Sequence, residues 1–244
     1  MKGLKCRILG TAPGIPVLGK AHSSICVEVH DKNILVDCGE GIAHRLLKYN
    51  LDKDFLDAVI ITHYHPDHVS GIFMVLQMLY LQKRTKPLSV YLPERIADFK
   101  GILDLMYLFS GRFDYPLYLK DINSVQPELS AITIIPNNHL KGYKRFIDEH
   151  ELANKMLSWS VLINSSQDSL LYSSDFYSGL HNQIETVDYI IVDALHPPIK
   201  EILSLTAKTK KQIILTHGLS NDVKKELANN SIKNYIIPKD GYLI

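Results

Sequence analysis

The chain predicts an α/β domain in which two β-sheets carry helices on their outer sides. Short β-rich runs recur in both halves: LKCRIL, SICVEV, NILVD, AVIIT and LSVYL, then AITIIP, SWSVLIN, SLLYS, YIIVDA, QIILT and NYIIP. Amphipathic helical stretches such as GIAHRLLKY and VSGIFMVLQMLYLQK alternate with them. Strands alternating with helices in each half imply two sheets with helices outside. No repeat of fixed period, low-complexity run or linker interrupts the 244 residues, so one domain over 1–244 is expected.

Each element has a local reason. Turn material separates the first three strands, and HDKN at His30 to Asn33 has the composition of a hairpin loop. The helical pattern from Val69 to Lys83 is stopped ahead of Pro87. From Glu94 to Asp121 the sequence reads as a mostly helical, aromatic-rich segment. Its LMYLF cluster is assigned to the core rather than to an interface, and a homodimer is left open.

Composition excludes several classes. Hydrophobic residues are 46% and charged residues 22%, which is globular rather than disordered. A formal net charge of +1 gives no global electrostatic reason to bind nucleic acid, and no stable DNA partner is indicated. The basic runs at Lys210 and Lys224 read as solvated helix faces or strand ends. The start, MKGLKCRILG, lacks the apolar core of a signal peptide. GIFMVLQMLYL, interrupted by Gln77, falls well short of the ~20 residues that cross a bilayer, so no membrane partner is expected. Cys6, Cys26 and Cys38 show no CxxC spacing and lie in or beside β-runs, as buried reduced thiols of a cytoplasmic protein do.

The chemistry is concentrated in ITHYHPDHVSG, Ile61 to Gly71. His63 and His65 are two apart on a chain leaving a strand, so both imidazoles can project to one side and grip one cation. Asp67 and His68 follow Pro66 at the expected first turn of the next helix and point elsewhere, which implies a second cation. Imidazole with carboxylate suits zinc, and also manganese or iron, whereas magnesium or calcium would be held by oxygen alone. Six other histidines (His22, His30, His44, His150, His181 and His196) have surface or core as their default reading.

Together, LVDCGEG at Leu35 to Gly41, THYHPDHVSG and later isolated His, Asp and His residues at strand ends resemble the metallo-β-lactamase hydrolases. The opening LGTAPGIP, with HSS at His22 to Ser24, is similar to their ribonuclease Z-like branch, which includes tRNA 3′-processing endonucleases and small cyclic-nucleotide or sugar-phosphate phosphodiesterases. The resemblance spans the whole chain and implies a four-layer αββα sandwich, α/β in class (α+β in some schemes). It further implies that His63, His65 and His139 hold a first metal, and that Asp67, His68 and His217 hold a second. Asp175 in LLYSSDF would bridge them, and Asp37 of DCGEG would fix the metal-binding loop. As a turn aspartate, Asp37 is also compatible with capping the GIAHRLL helix.

Two divalent transition-metal ions can supply hydroxide at neutral pH and polarise the bond attacked, so the implied reaction is hydrolysis of a phosphodiester. Asp67 would orient the hydroxide. His196 in VDALHPP is a candidate proton donor or phosphate contact, and His22 has a weaker claim. The sequence also departs from the family pattern. The Gly- and Pro-rich basic arm of tRNA 3′ endonucleases is missing after LSVYL, Phe176 replaces the usual Thr after the bridging Asp, and an insertion from Lys141 to Met156 is expected to cover the site. These departures favour a small or cyclic phosphodiester, or an RNA 3′ end, over a folded tRNA. Ribonuclease Z proper and a thioester or lactone hydrolase are the alternatives, ahead of a non-catalytic metal-binding module.

Overall fold

The computed structural model describes residues 3–244. Strands β1 (Lys5–Gly10), β2 (Ser24–Val29), β3 (Lys32–Val36), β4 (Ala58–Ile60), β5 (Leu88–Leu92) and β6 (Leu117–Asp121) pair in that order into one six-stranded sheet. The first three are antiparallel and the rest parallel. Helices α1 (Ile42–Lys48), α2 (Pro66–Val69), α3 (Ile72–Leu81) and α4 (Ile96–Leu105) belong to this half, and α5 (Val125–Glu128) leads out of it.

The second half repeats the plan in reverse. Strands β7 (Ile132–Pro136), β8 (Trp159–Asn164), β9 (Ser169–Tyr172), β10 (Tyr189–Asp193), β11 (Ile213–Thr216) and β12 (Tyr235–Ile236) form a second six-stranded sheet. Its β7–β8–β9 end is antiparallel and its β9–β12 end parallel. Helix α6 (Lys144–Glu149) lies in the β7–β8 connection, while α7 (His181–Thr186), α8 (Ile199–Lys208) and α9 (Asn221–Asn229) follow β9, β10 and β11.

Alternation along the strands builds the layers. In β3 and β4, Ile34, Val36, Ala58 and Ile60 face a core shared with Ile132, Val161, Ile163 and Ile191 of the other sheet. Their neighbours Leu35, Val59 and Ile61 face Ile42, Val75 and Leu79 of the helices instead. Both faces of a strand are then apolar, which is why AVII carries no polar alternation. The second sheet turns Leu171, Ile190 and Val192 outward onto Ile184, Ile202 and Leu205. The result is the expected αββα order of layers. The parallel strands β3 and β4, and β9, β10 and β11, end at one common edge, and β7 runs with β9 because β8 reverses between them. Ligands in such sheets sit outside the carboxyl ends of strands.

Three expectations are corrected. LYLKD, read as part of a helical segment, is β6 paired in register with β5 from Leu88↔Leu117 to Leu92↔Asp121. Pro116 restricts Tyr115 to extended backbone, and the open edge of β5 supplies the partner. LMYLF is not core: Leu105 and Tyr107 are 79% and 72% exposed, and of the five only Leu108 is buried. Asp67 and His68 do not open the long helix but lie in their own short α2, separated from α3 by Ser70 and Gly71. The three cysteines are buried and free, as expected.

Candidate metal centre

Two loops are clamped together at the edge where the strands end. Cys38 N–H donates to His68 O and Gly71 N–H donates to Cys38 O, both at 2.8 Å. The backbones approach so closely that a Cβ on Gly71 would lie 2.0 Å from Gly39 O, and one on Gly39 would lie 2.2 Å from Asp67 O. Only glycine fits at either position. DCGEG and THYHPDHVSG therefore depend on each other: the glycines let the first loop hold the second in place.

The structure brings all seven expected ligands together, in two sets. In the first, donor atoms of His63, His65, His139 and Asp175 lie within 4.8 Å of one another; in the second, those of Asp67, His68, Asp175 and His217 do. Asp175 is common to both. Its Oδ2 is 3.8 Å from His63 Nε2, 3.5 Å from His139 Nε2 and 3.4 Å from His217 Nε2, while Oδ1 is 3.1 Å from His68 Nε2. Asp67 Oδ2 closes the second set at 3.4 Å from His217 Nε2.

These residues fit a pair of cations. His63 Nε2, His68 Nε2, His217 Nε2 and both carboxylate oxygens of Asp175 are buried without a hydrogen-bond partner. Each such atom costs about 1–3 kcal/mol when left unmet, so five of them gathered around one carboxylate is unfavourable unless ligands satisfy them. The outward nitrogens are held instead. His68 Nδ1 lies 2.8 Å from Asp37 Oδ2, His217 Nδ1 2.7 Å from Ser23 Oγ and His63 Nδ1 3.1 Å from Thr62 Oγ1. One nitrogen anchored by a polar partner and the other free is the arrangement of metal-ligating histidine.

The electrostatics of the protein groups agree. Burial, then neighbouring imidazoles, push His139 and His217 down to about 3, and push His63 well below the usual histidine range. Burial lowers His65 as well. Neutral imidazoles result, and those of His139 and His65 meet through Nε2 and Nδ1 at 3.0 Å. Burial also raises Asp175 to about 6, against the opposing charge of His68. His68 itself lies well above its usual value: burial disfavours its charge, but Asp175 and Asp37 outweigh that. Holding a cation with Asp175 would require His68 to be deprotonated at Nε2.

Asp37 is the hub of the inner support. It is fully buried and accepts from Thr62 N at 2.9 Å, Thr62 Oγ1 at 2.8 Å, His68 Nδ1 at 2.8 Å, Tyr172 Oη at 3.1 Å and Ser174 Oγ at 3.2 Å. It does not cap α1, whose N-cap is Gly41 with no side-chain bond; that reading is corrected. Asp37, Ser174 and His217 all have left-handed backbone, at φ 58°, 50° and 62°. Such strain persists only where surrounding contacts enforce it.

His196 reaches the edge of the centre, with Nδ1 3.0 Å from Asp193 Oδ2 and 3.4 Å from Asp175 Oδ2. Burial lowers its pKa, but the Asp193 bond and the Asp175 and Asp193 charges raise it on balance. His22 is buried with neither ring nitrogen hydrogen-bonded and joins neither metal set. Sequence reasoning missed Asp193, Ser23, Thr62 and Ser174. Asp193 was findable as a strand-end carboxylate three residues before a histidine; the others signal only in three dimensions. If Ser23 orients His217, Ser23→Ala will weaken the second cation by about 10- to 100-fold in a competitive chelator titration, whereas a change below about threefold would make Ser23 a mere space-filler.

The family model described as Anti-Pycsar protein Apyc1 matches residues 4–237. Ribonuclease Z of Methanococcus maripaludis is 34% identical over 126 residues, covering 51% of this chain but only 40% of that protein. The matched region is thus less than half the length of that relative. Among solved structures, the metallo-beta-lactamase fold protein YhfI from Bacillus subtilis has a TM-score of 0.69 at 21% identity, covering 99% of this chain and 98% of that one. The short form of human tRNase Z has a TM-score of 0.70 at 16% identity, covering 98% of each chain. At these identities the structural likeness is one of fold.

Proposed function

The chain belongs to the family described as Anti-Pycsar protein Apyc1 and has the metallo-β-lactamase fold, and on that premise we propose that it is a dinuclear metal-dependent phosphodiesterase working as one domain over residues 1–244. The observation that carries this reading is the convergence of unpaired buried donors into two sets that share Asp175. His63, His65 and His139 would hold one cation, Asp67, His68 and His217 the other, with Asp175 common to both. The donor chemistry suits zinc first, and manganese or iron as well. Two such ions supply an activated water at neutral pH and neutralise charge on the phosphodiester.

The chain's own groups do the rest. Asp67 is the carboxylate of the centre with some solvent access, its side chain 11% exposed against 1% for Asp175, which suits it to orient the attacking water. His196 is one-third exposed at its side chain, and Asp193 ties its Nδ1. With Nδ1 engaged, Nε2 would be the ring atom left to hand a proton to the leaving oxygen. The Asp193 carboxylate would orient that ring.

Support for a small or cyclic phosphodiester, or an RNA 3′ end, comes from charge and shape. Whole-tRNA binding relies on many phosphate contacts and a concentrated positive surface, and this chain has a net charge of +1 with no basic Gly/Pro arm after LSVYL. Ribonuclease Z proper is the second reading, because a protein of that name matches half of the chain. No helix among the described residues is long and apolar enough to cross a membrane. A cytoplasmic location is part of the same proposal, consistent with three free buried cysteines.

A panel tests it: bis-p-nitrophenyl phosphate, 2′,3′-cyclic nucleotides, a pre-tRNA transcript and a thioester, each with zinc or manganese. The small phosphodiesters are expected to show the higher kcat/KM, with weak pre-tRNA binding at about 150 mM salt. Position-specific cleavage of the tRNA trailer in that salt would restore the ribonuclease reading. Hydrolysis of the thioester alone would overturn both.

A further inference from the structure

Asn137 and Asn138 stand between the end of β7 and His139. A turn asparagine ordinarily bonds its own backbone two residues on, and Asn137 does so: its Oδ1 accepts from His139 N at 3.2 Å. Its Nδ2 reaches much further along the chain. It donates to Asp175 O at 3.0 Å, across 38 positions, and to Ser160 Oγ at 3.2 Å. One planar carboxamide thus joins the backbone of His139 to the backbone of Asp175. Both residues belong to the first donor set, where His139 Nε2 stands 3.5 Å from Asp175 Oδ2.

The carboxamide is itself held in place. Ser158 Oγ donates to Asn137 Oδ1 at 2.5 Å, and Asn137 N donates to Ser158 O at 2.9 Å. Ser158, Ser160 and Ser173 are all buried. Ser160 Oγ donates to Ser173 O at 2.6 Å, and Ser173 Oγ accepts from Asp193 N at 2.9 Å. A polar chain therefore runs behind the centre across the ends of β7, β8, β9 and β10, from His139 to the residue whose carboxylate holds His196. Asn138 fastens the same two loops a second time, its Oδ1 accepting from Tyr177 N at 3.1 Å and Ser178 N at 3.2 Å.

The sheet alone does not set the separation of His139 and Asp175. β8 lies between β7 and β9, so no ladder hydrogen bond joins the two loops. An amide offers two N–H donors and one oxygen with two lone pairs. Asn137 uses all four: the donors go to Asp175 and Ser160, and the oxygen takes His139 and Ser158. A polar network satisfied in this way rigidifies and specifies one arrangement.

From this geometry we infer that Asn137 is a positioning residue, which sets the separation of His139 and Asp175 and thereby the affinity of the cation held by His63, His65 and His139. The inference rests on the dinuclear reading of the centre, and its test reads binding without turnover. Competitive chelator titration of zinc into the metal-free full chain gives two stepwise constants. Asn137→Ala should lower one of them by about 10- to 100-fold and move the other by less than about threefold. Asn137→Ser keeps an acceptor for His139 N but is too short to reach Asp175 O, so it should show the same selective loss while still melting cooperatively. In His217→Ala, which removes a donor of the second set only, either substitution should still lower the one remaining constant.

Four results would overturn the role of Asn137: two unchanged constants, equal losses in both, full recovery of the parent affinity by serine, or no effect in the His217→Ala background. The first would make the carboxamide a bystander, the second a general scaffold, and the third a local turn former. A parent chain that takes up no zinc overturns the dinuclear reading itself, and this inference with it.

Discussion

Asp175→Ala is expected to abolish phosphodiester turnover, by on the order of 10³-fold or more, because the two proposed cation sites share that one side chain. No other residue contributes to both of the four-residue donor sets. Removing it takes the oxygen 3.1 Å from His68 and the one 3.4 Å from His217, so each proposed cation site would lose a donor. Elemental analysis should fall from close to two equivalents of transition metal in the parent. Cooperative unfolding should persist, since most of the core is built from strands and helices that do not contain Asp175. His196→Ala should lose activity but keep metal, whereas His63→Ala should lose metal. Retained turnover in Asp175→Ala, or a parent protein that binds no zinc or manganese at neutral pH, would remove the basis of the dinuclear assignment.

The largest loss of stability is expected at Asp37. Its carboxylate is fully buried and accepts from Thr62, His68, Tyr172 and Ser174. Truncation to alanine orphans these donors in a space closed to water. Each unmet group costs about 1–3 kcal/mol, and partial relaxation brings the sum to about 4 kcal/mol. Alanine also tolerates the left-handed backbone at φ 58° less well than aspartate does. Denaturant melts of the metal-free protein should therefore show Asp37→Ala as much less stable, with Asp37→Asn between it and the parent. Affinity for the second cation should fall along with stability, because His68 loses the partner that fixes its ring. A loss below about 1 kcal/mol in Asp37→Ala would show that the hub is dispensable.

Two kinds of information separate in this chain. The local ones were legible. The spacing of His63, His65, Asp67 and His68 implied two cations because backbone geometry over a few residues decides which side chains can share a face. The doubly buried strands showed as unbroken apolar runs for the same reason. His139, Asp175 and His217 were legible only through resemblance to a family, since a lone histidine at the end of a strand has many ordinary uses.

Tertiary structure decided everything that joins distant segments. Ser23 meets His217 across 194 positions and Tyr172 meets Asp37 across 135, contacts fixed by how the two sheets stack and not by any local pattern. LYLKD became a strand because β5 offered an open edge, and LMYLF, at and beyond the end of α4, stayed exposed except for Leu108. The insertion's apolar residues face a cavity beside His65 because Glu94 and Arg95 fasten them there. Short-range geometry can be read along a chain because each residue constrains only its neighbours. Register, close approach at Gly39 and Gly71, and the sharing of Asp175 depend on both halves of the molecule at once, so only the folded arrangement determines them.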